Sequence, residues 1–229
     1  MTSGDFTTIS DQSPSIDMLQ GHIATGHAVK LQNCNLQNLD LGELNFSDWV
    51  FEKCTLTGAS FTGSTLERTT FLGCRAAGGG FYNAMASEMR IDGGDFSNTK
   101  FGGARLDGAT IARCKMTGAD FSDAKADGLA LQEVLLVLAL LPKISFRDAV
   151  LKQVDFTEAD LRACDFRDAV FEDCSLRDAQ MSNCRFERAD LRRADLGGVK
   201  LTDAKRFKGA IISKRQAGEL LGQLGLQVL

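Results

Sequence analysis

The sequence predicts an all-β solenoid, in which the chain coils around one narrow core with four sides to each turn. Three features indicate this. Leu or Phe recurs every five residues between Leu31 and Leu201, and a small or apolar residue stands two positions before these centres. The composition is biased in the same direction, with 15 Phe but one Trp and one Tyr, and 23 Gly but two Pro. One local shape is therefore required repeatedly.

The five-residue period runs in one unbroken phase through 35 central positions, of which 15 are Leu, 13 Phe, two Ile, two Met and three Ala. It matches neither the ~3.6 residues of a helical turn nor the ~2 of a strand, so an isolated helix or strand cannot bury it. A chain that turns a corner after every fifth residue can. Four sides then make a turn of 20 residues, and successive turns stack at the ~4.8 Å separation of paired strands.

All seven cysteines belong to the small residues before the centres, which explains the ten-residue spacing of Cys164, Cys174 and Cys184. A 20-residue turn places five of them in one column and Cys164 and Cys184 in the opposite column. A metal needs thiolates that converge from several directions, and parallel Cβ vectors place stacked sulfurs poorly for a disulfide. We therefore expect buried, reduced structural thiols and no metal.

Charge and hydropathy exclude several classes of protein. With 30 acidic and 26 basic residues there is no polybasic tract, so direct nucleic-acid binding is not expected. The N-terminus lacks the basic start and apolar core of a secretory signal. The longest apolar run, residues 129–141, falls short of the ~20 residues that span a bilayer. These features predict a cytoplasmic protein with no membrane association.

No group of residues indicates catalysis. His22 and His27 could form a metal pair or supply a base, but no carboxylates stand at a motif spacing, which favours a solvated lead-in segment. The GGGF stretch at 78–81 lacks the Lys-Ser or Lys-Thr of a phosphate-binding loop. The Asp residues that recur just before the centres can bond their local backbone. We expect a non-enzymatic protein without a cofactor.

The chain divides into an N-terminal lead-in or cap at 1–28, a repeat region at 29–206 and a C-terminal segment at 207–229. Within the repeats, residues 127–146 keep the phase but lose the polar outward positions. If this segment forms a regular turn, it exposes an apolar surface, which soluble monomers seldom carry. The residues of this surface would be Leu135, Val137, Leu138 and Leu140. A short helix that ends before Pro142 is the alternative.

The C-terminal segment has the features of a terminal cap, which a stacked solenoid needs to cover its last turn. Ser213 can cap a helix that runs to about Leu224, and residues 224–229 are consistent with a final short strand. The apolar candidates for this cap are Leu220, Leu221, Leu224, Leu226 and Val228.

The repeats resemble those of the pentapeptide-repeat proteins. That family's pattern is a small residue, Asp or Asn, Leu or Phe, and two polar residues, as in CNLQN (34–38), ADLRA (159–163), CDFRD (164–168) and ADLRR (189–193). The resemblance covers about three quarters of the chain. It implies a right-handed quadrilateral parallel β-helix, and the tail resembles the family's C-terminal α-helical cap.

The Phe-rich centres, the cysteine-containing repeats and the tail are similar to the branch that protects type II topoisomerases from quinolones or natural gyrase poisons. This resemblance implies a DNA mimic that binds DNA gyrase, and a homodimer through the C-terminal cap residues. Mimicry needs negative potential, so we expect an acidic edge at Asp107, Asp127, Asp148 and Asp168. An interaction scaffold that docks an unrelated partner at 129–141 is the alternative.

Overall fold

The computed structural model describes residues 7–200 and 205–227. They form a right-handed parallel β-helix with four-sided turns, which confirms the predicted fold. Nearly every side ends in a residue with left-handed φ, and the four corners of one turn are Asn38, Glu43, Asp48 and Lys53, with φ of 57°, 58°, 64° and 53°. Gly, Asn and Asp adopt this conformation at least cost, which explains why they are frequent two residues after each centre.

One side of the solenoid is a parallel nine-stranded sheet in chain order. Neighbouring strands of the repeats pair with a shift of 20 residues, as in Phe51 with Phe71 and Ile91 with Ile111. Isolated bridges with the same shift join the other sides, as in Ser60 with Gly80. The strands are β1 Thr7–Ser10, β2 Val29–Gln32, β3 Val50–Glu52, β4 Thr70–Arg75, β5 Arg90–Asp95, β6 Thr110–Lys115, β7 Ala130–Leu135, β8 Val150–Lys152 and β9 Val170–Glu172.

The core contains the predicted centres. Every centre from Leu31 to Leu191 is buried, Leu196 is partly buried, and Leu201 lies outside the described residues. Phenylalanine rings stack from turn to turn, and centroid distances along the series Phe61, Phe81, Phe101 and Phe121 are 5.0, 4.8 and 4.9 Å. These distances match the spacing of paired strands, so ring stacking and backbone pairing favour the same rise.

The small inward positions hold all seven cysteines as buried free thiols, as predicted. Most of the thiols point at a carbonyl of the preceding turn: Cys54 Sγ donates to Leu31 O at 3.3 Å and Cys74 Sγ to Phe51 O at 3.2 Å. The hydroxyl of Thr69 does the same at 2.8 Å from Phe46 O. Where these positions hold a thiol or a hydroxyl, the side chain therefore also satisfies a backbone carbonyl.

The N-terminal end is closed by a strand and a helix. Strand β1 extends the sheet by pairing with β2, and helix α1, Ile16–Ala24, is capped by the Ser15 side chain. Leu19 of this helix is fully buried in the core cluster. The expectation of a solvated lead-in is therefore incomplete, because most of residues 7–24 are exposed but Ile9 and Leu19 belong to the core cluster and cover the first turn.

The C-terminal end is closed by helix α2, Lys214–Gly222, as expected. The Gln216 side chain is buried, and its Nε2 donates to the carbonyls of Leu191 and Ala194, both at 2.7 Å. The expected final strand is wrong for residues 224–227, which form a turn and an unpaired extension. No helix within the described part of the chain is long and apolar enough to cross a bilayer.

Residues 127–146 form a regular turn, so the alternative of a short helix is wrong. Strand β7 places Leu131 inward, and Leu136 and Leu141 are also fully buried. The backbone nitrogen of Leu136 donates to Asp155 O at 2.8 Å and that of Leu140 to Ala119 O at 2.9 Å. A helix would have removed these bonds and left both neighbouring turns unpaired, which buried backbone groups do not tolerate.

Candidate partner-binding surface

The most distinctive surface feature is an apolar patch formed by Leu135, Val137, Leu138 and Leu140. Leu135 is 47% exposed, Leu138 53% and Leu140 38%, whereas Val137 is half-buried. All four lie on one turn, across the corner that follows β7. The structure therefore brings together the apolar side chains that the sequence predicted to face outward.

The neighbouring turns are polar where the patch is apolar. Leu135 is bridged to Lys115 on one side and Asp155 on the other, and Leu140 to Asp120 and Asp160. Further turns carry Thr55, Arg75 and Asp95 in the column of Leu135. Since polar residues suit these positions elsewhere, the fold does not require leucine here.

Leu138 is also held in an unfavourable backbone conformation. Its φ is 59°, and it is the one large apolar side chain among the described non-glycine residues with left-handed φ. In this conformation an L-residue is disfavoured by about 1–2 kcal/mol. Glycine or asparagine would be more stable at this corner, so neither local conformation nor core packing explains leucine.

Carboxylates border the patch on both sides, and we call Asp120, Asp155, Glu158 and Asp160 the acidic rim. Within residues 7–200 and 205–227, no ion pair involves Asp155 or Glu158. The nearest ammonium to Asp120, on Lys100, is 3.9 Å away. Asp160 is paired with Arg162 at 2.6 Å, and the hydrogen bond from that guanidinium lowers the pKa of the carboxyl. The rim is therefore mainly negative at neutral pH.

The predicted acidic edge lies on one side of the solenoid but falls into two pairs. Asp127 N donates to the carboxylate of Asp107 at 3.1 Å, and no ion pair involves either carboxylate within the described ranges. Arg147 Nε is 3.5 Å from Asp148 Oδ2, and Arg188 Nε is 2.6 Å from Asp168 Oδ1. The hydrogen bond from Arg188 lowers the pKa of Asp168. The edge is therefore not a continuous negative strip.

The C-terminal candidates are largely exposed. Leu220 is partly buried, whereas Leu221, Leu224 and Leu226 are 36%, 62% and 53% exposed. Val228 lies outside the described residues. These side chains are thus free to contact a further surface, and Gln216, not predicted as a cap residue, makes the buried contact with the last turn.

Most of the thiols inside the solenoid have a pKa above the ordinary value of cysteine. Burial raises the pKa of Cys114 to about 12 and that of Cys174 to about 11, so both thiols are protonated at neutral pH. His22 lies half-buried on α1 and His27 is exposed after it. Over the described part of the chain, no group of three or more His, Cys, Asp or Glu residues is arranged to hold a metal ion.

The geometry defines a class of protein: a solenoid with a filled core, whose chemistry is carried by its outer faces. Two family profiles match the chain, "Pentapeptide repeat region" at residues 136–201 and "Pentapeptide repeats (8 copies)" at residues 30–68 and 95–128. Together they cover more than half of it. The chain belongs to the pentapeptide-repeat family.

Among solved structures, the chain is similar to QnrB1, described as a plasmid-mediated fluoroquinolone resistance protein. Full-length QnrB1 superposes with a TM-score of 0.64 at 18% identity, over 96% of this chain and 98% of that one. A trypsin-treated variant of QnrB1 gives 0.58 at 19% identity, over 98% of both chains. At this identity the likeness establishes the fold. No curated protein sequence matches the chain significantly.

Proposed function

We propose that this chain is a non-enzymatic, DNA-mimicking protein that binds a type II topoisomerase, DNA gyrase, and protects it from quinolones or natural gyrase poisons. The observation that carries the proposal is the end-to-end likeness to QnrB1, a fluoroquinolone resistance protein, over 96% of this chain and 98% of that one. Membership of the pentapeptide-repeat family supports it.

The charge of the chain limits how this mimicry can work. Nine stacked strands extend over roughly 40 Å at the spacing of paired strands. Duplex DNA of that length carries on the order of 20 negative charges, whereas the whole chain carries a net charge of −4. Overall charge therefore cannot compete with DNA, and binding must depend on shape and on local carboxylates.

The predicted acidic edge supplies two kinds of carboxylate. Asp107 and Asp127 can meet cationic side chains of the enzyme directly. Asp148 and Asp168 can do so by exchanging Arg147 and Arg188 for cations of the partner. Exposed ion pairs contribute about 0–1 kcal/mol, so this exchange costs little.

We further propose that two copies of the chain associate through their C-termini. Leu221, Leu224 and Leu226 are exposed beside helix α2, and burying such side chains contributes about 1.5–3 kcal/mol each when complete. A dimer joined end to end in this way would double the length of the solenoid. Light scattering of the purified protein tests this, and replacement of Leu224 and Leu226 by Ser should give a monomer.

A supercoiling assay with purified gyrase tests the proposed function. The protein at micromolar concentration should restore supercoiling in the presence of a quinolone or inhibit it in its absence. Asp107→Asn with Asp127→Asn should weaken the effect, whereas the matched pair Asp40→Asn with Asp123→Asn, on another side, should not. Neither protection nor inhibition by the parent protein would contradict the proposal.

A second candidate function, an interaction scaffold for an unrelated protein, is favoured by the apolar patch. A gyrase mimic should depend more on its carboxylates and its dimer than on Leu138. A scaffold should lose its partner on Leu138→Asp, and comparison of the variant with the parent in pull-down experiments separates the two candidates.

A further inference from the structure

The apolar patch combines two unfavourable features at one place. Leu135 and Leu138 are each about half exposed, and Leu138 also occupies a left-handed corner. Charged and polar residues fill the equivalent positions of the adjoining turns, including Asp155 and Glu158. A sequence under no other constraint would have a polar residue at this corner, so the apolar side chains indicate a contact outside the core.

The charges around the patch define the chemistry of that contact. The acidic rim borders the patch along both neighbouring turns, and Asp155 and Glu158 have no cationic partner within the described ranges. Lys115, which also borders Leu135, reaches toward Asp95, with 3.7 Å between Nζ and Oδ2. The guanidinium of Arg162, which also lies beside the patch, is paired with Asp160. A complementary partner is therefore apolar at its centre and cationic at its edges.

We propose that the apolar patch and its acidic rim form a docking surface for a protein segment in which large apolar side chains are flanked by Arg or Lys. The apolar side chains would cover Leu135, Leu138 and Leu140, and the flanking cations would meet Asp155 and Glu158. The inference concerns the chemistry of this contact, so it holds for either candidate function and goes beyond both.

Two other occupants fit less well. A second copy that paired through the same patch would bring two acidic rims together, and like charges at an interface oppose association. An anionic membrane surface would be repelled by the rim, since such surfaces attract cationic segments. The charges therefore favour a basic protein segment over both.

Leu138→Asn is the most informative variant for a binding test. Asparagine tolerates left-handed φ, so the variant should fold with an unchanged or raised melting temperature. The matched control is Val150→Thr, which removes an apolar side chain that is 61% exposed on the sheet side, outside the patch. Loss of binding in Leu138→Asn alone then reports on the patch and not on folding.

The charge requirement has its own pair of variants. Asp155→Asn keeps the local bond to Thr157 N, at 2.9 Å in the parent, while removing the charge, and is combined with Glu158→Gln. The control combines Glu88→Gln with Glu133→Gln, which removes two carboxylates from the other two sides. Both double variants lower the net negative charge equally, so a difference between them is local.

The probe is a fluorescein-labelled peptide of leucine and arginine, followed by fluorescence anisotropy. Peptides of serine and arginine, and of leucine and glutamate, are the controls. The parent should bind the leucine–arginine peptide at least about tenfold more tightly than either control peptide. Leu138→Asn and the rim double variant should each lose at least about tenfold in affinity, and both control variants should match the parent.

Equal binding by the parent and Leu138→Asn, or no preference for the leucine–arginine peptide, overturns the inference. Light scattering of the parent and Leu138→Asn tests the alternative occupant, since an oligomer that dissociates in the variant would assign the patch to a second copy. Because the probe is a peptide, its result is independent of the gyrase assay. Either proposal can fail without the other.

Discussion

At the scale of single residues, the small inward positions matter because they control how closely the chain can turn. Cysteine, serine and threonine share these positions, and each can donate to a backbone carbonyl, as Cys54, Ser64 and Thr69 do. A thiol here satisfies a buried acceptor and fills space, and it needs no reactivity to be useful.

The thiols should therefore be unreactive in the folded protein. Burial raises the pKa of Cys114 to about 12 and of Cys184 to about 12, so little thiolate forms at pH 8. Ellman's reagent should release almost no colour from the native protein and a full seven equivalents after unfolding in urea. Rapid reaction of native thiols would contradict the buried columns.

Local Asp–Arg pairs are a second feature at this scale. In Asp160–Arg162, Asp165–Arg167 and Asp190–Arg192, the carboxylate accepts from the backbone nitrogen two residues later and pairs with the same residue's guanidinium. Each Asp thus stabilises its corner and neutralises the adjacent charge. This arrangement explains the recurring Asp-x-Arg sequence without assigning it a function.

Asp165→Asn tests the energetic role of such a pair. The hydrogen bond from Arg167 lowers the pKa of Asp165, so the pair stabilises the fold above the ordinary Asp pKa of ~3.9 and this gain is lost as pH falls through the lower folded value. Asparagine keeps the backbone bond but not the ion pair. Its free energy of unfolding should be about 0.5–1 kcal/mol lower at pH 7, and the gap should close at a pH below the lowered pKa of Asp165.

Urea unfolding of the parent and Asp165→Asn at both pH values measures this gap. Asp123→Asn is the control, since that residue makes no ion pair within the described residues. A gap of the same size at both pH values would show that the ion pair is not its cause.

At the scale of secondary-structure elements, strand β5 contains a glycine, Gly94, in the column of Cys74 and Cys114. Gly94 has φ of 104°, and an added Cβ would collide with the carbonyl oxygen of Cys74 in the preceding turn. Gly78 also has left-handed φ, 69°, but an added Cβ there meets nothing within 4 Å. Substitution of the two glycines by alanine therefore distinguishes the cost of backbone strain from that of steric overlap.

Gly94→Ala should lower the free energy of unfolding by at least about 3 kcal/mol. The added methyl group places a non-glycine residue at a strained φ, and it also forces the backbone near Cys74 to move. Gly78→Ala should cost about 1 kcal/mol, from the left-handed conformation alone. Thermal or urea unfolding of the two variants compares them directly. Equal losses would show that β5 accommodates a side chain at residue 94.

Helix α2 is joined to the last turn by Gln216. Its amide donates to Leu191 O and Ala194 O and accepts from Ser213 N at 2.7 Å. Gln216→Met preserves the side chain's length but removes the bond to Ala194 O and one of the two bonds to Leu191 O, which still accepts from Ala194 N at 2.9 Å. We therefore expect a loss of about 1–3 kcal/mol and faster hydrogen exchange in α2. Gln223→Met, at an exposed bond to Val199 O, is the control and should cost under about 1 kcal/mol.

The sequence predicted the parts of the fold that depend on a strict period. Leu131, Leu136 and Leu141 are buried because the five-residue phase continues through them, although their apolar neighbours favoured a helix locally. Gln216 was missed, although a Ser followed by Gln three residues later is a signature of a capping box. Reading that signature would have identified the residue that closes the core.

The surface could be predicted less well than the core. The pairing of Asp168 with Arg188 joins residues 20 positions apart, and it depends on which rotamers the corners allow. The five-residue period predicts which side of the solenoid Asp107 and Asp168 occupy. It does not predict that Asp168 is paired with an arginine whereas Asp107 has no ion pair within the described residues. The apolar patch was predictable, because its exposure follows directly from the phase.

At the scale of the whole molecule, the solenoid is stabilised turn by turn. Each turn contacts its neighbours, and α1 and α2 lie against the two ends of the described solenoid. The outer faces are free to vary, as the change from polar turns to the apolar patch shows. A filled rod with variable faces is suited to binding a large partner along its length.

Competition with DNA for gyrase is the most direct test of the proposed function. Purified gyrase is bound to fluorescently labelled duplex DNA, and the protein is added while the anisotropy of the DNA is followed. We expect the protein to displace the DNA at micromolar concentration, and Asp107→Asn with Asp127→Asn to displace it less well. DNA that stays bound at saturating protein, or a stable ternary complex, would contradict the proposal that the rod takes the place of DNA.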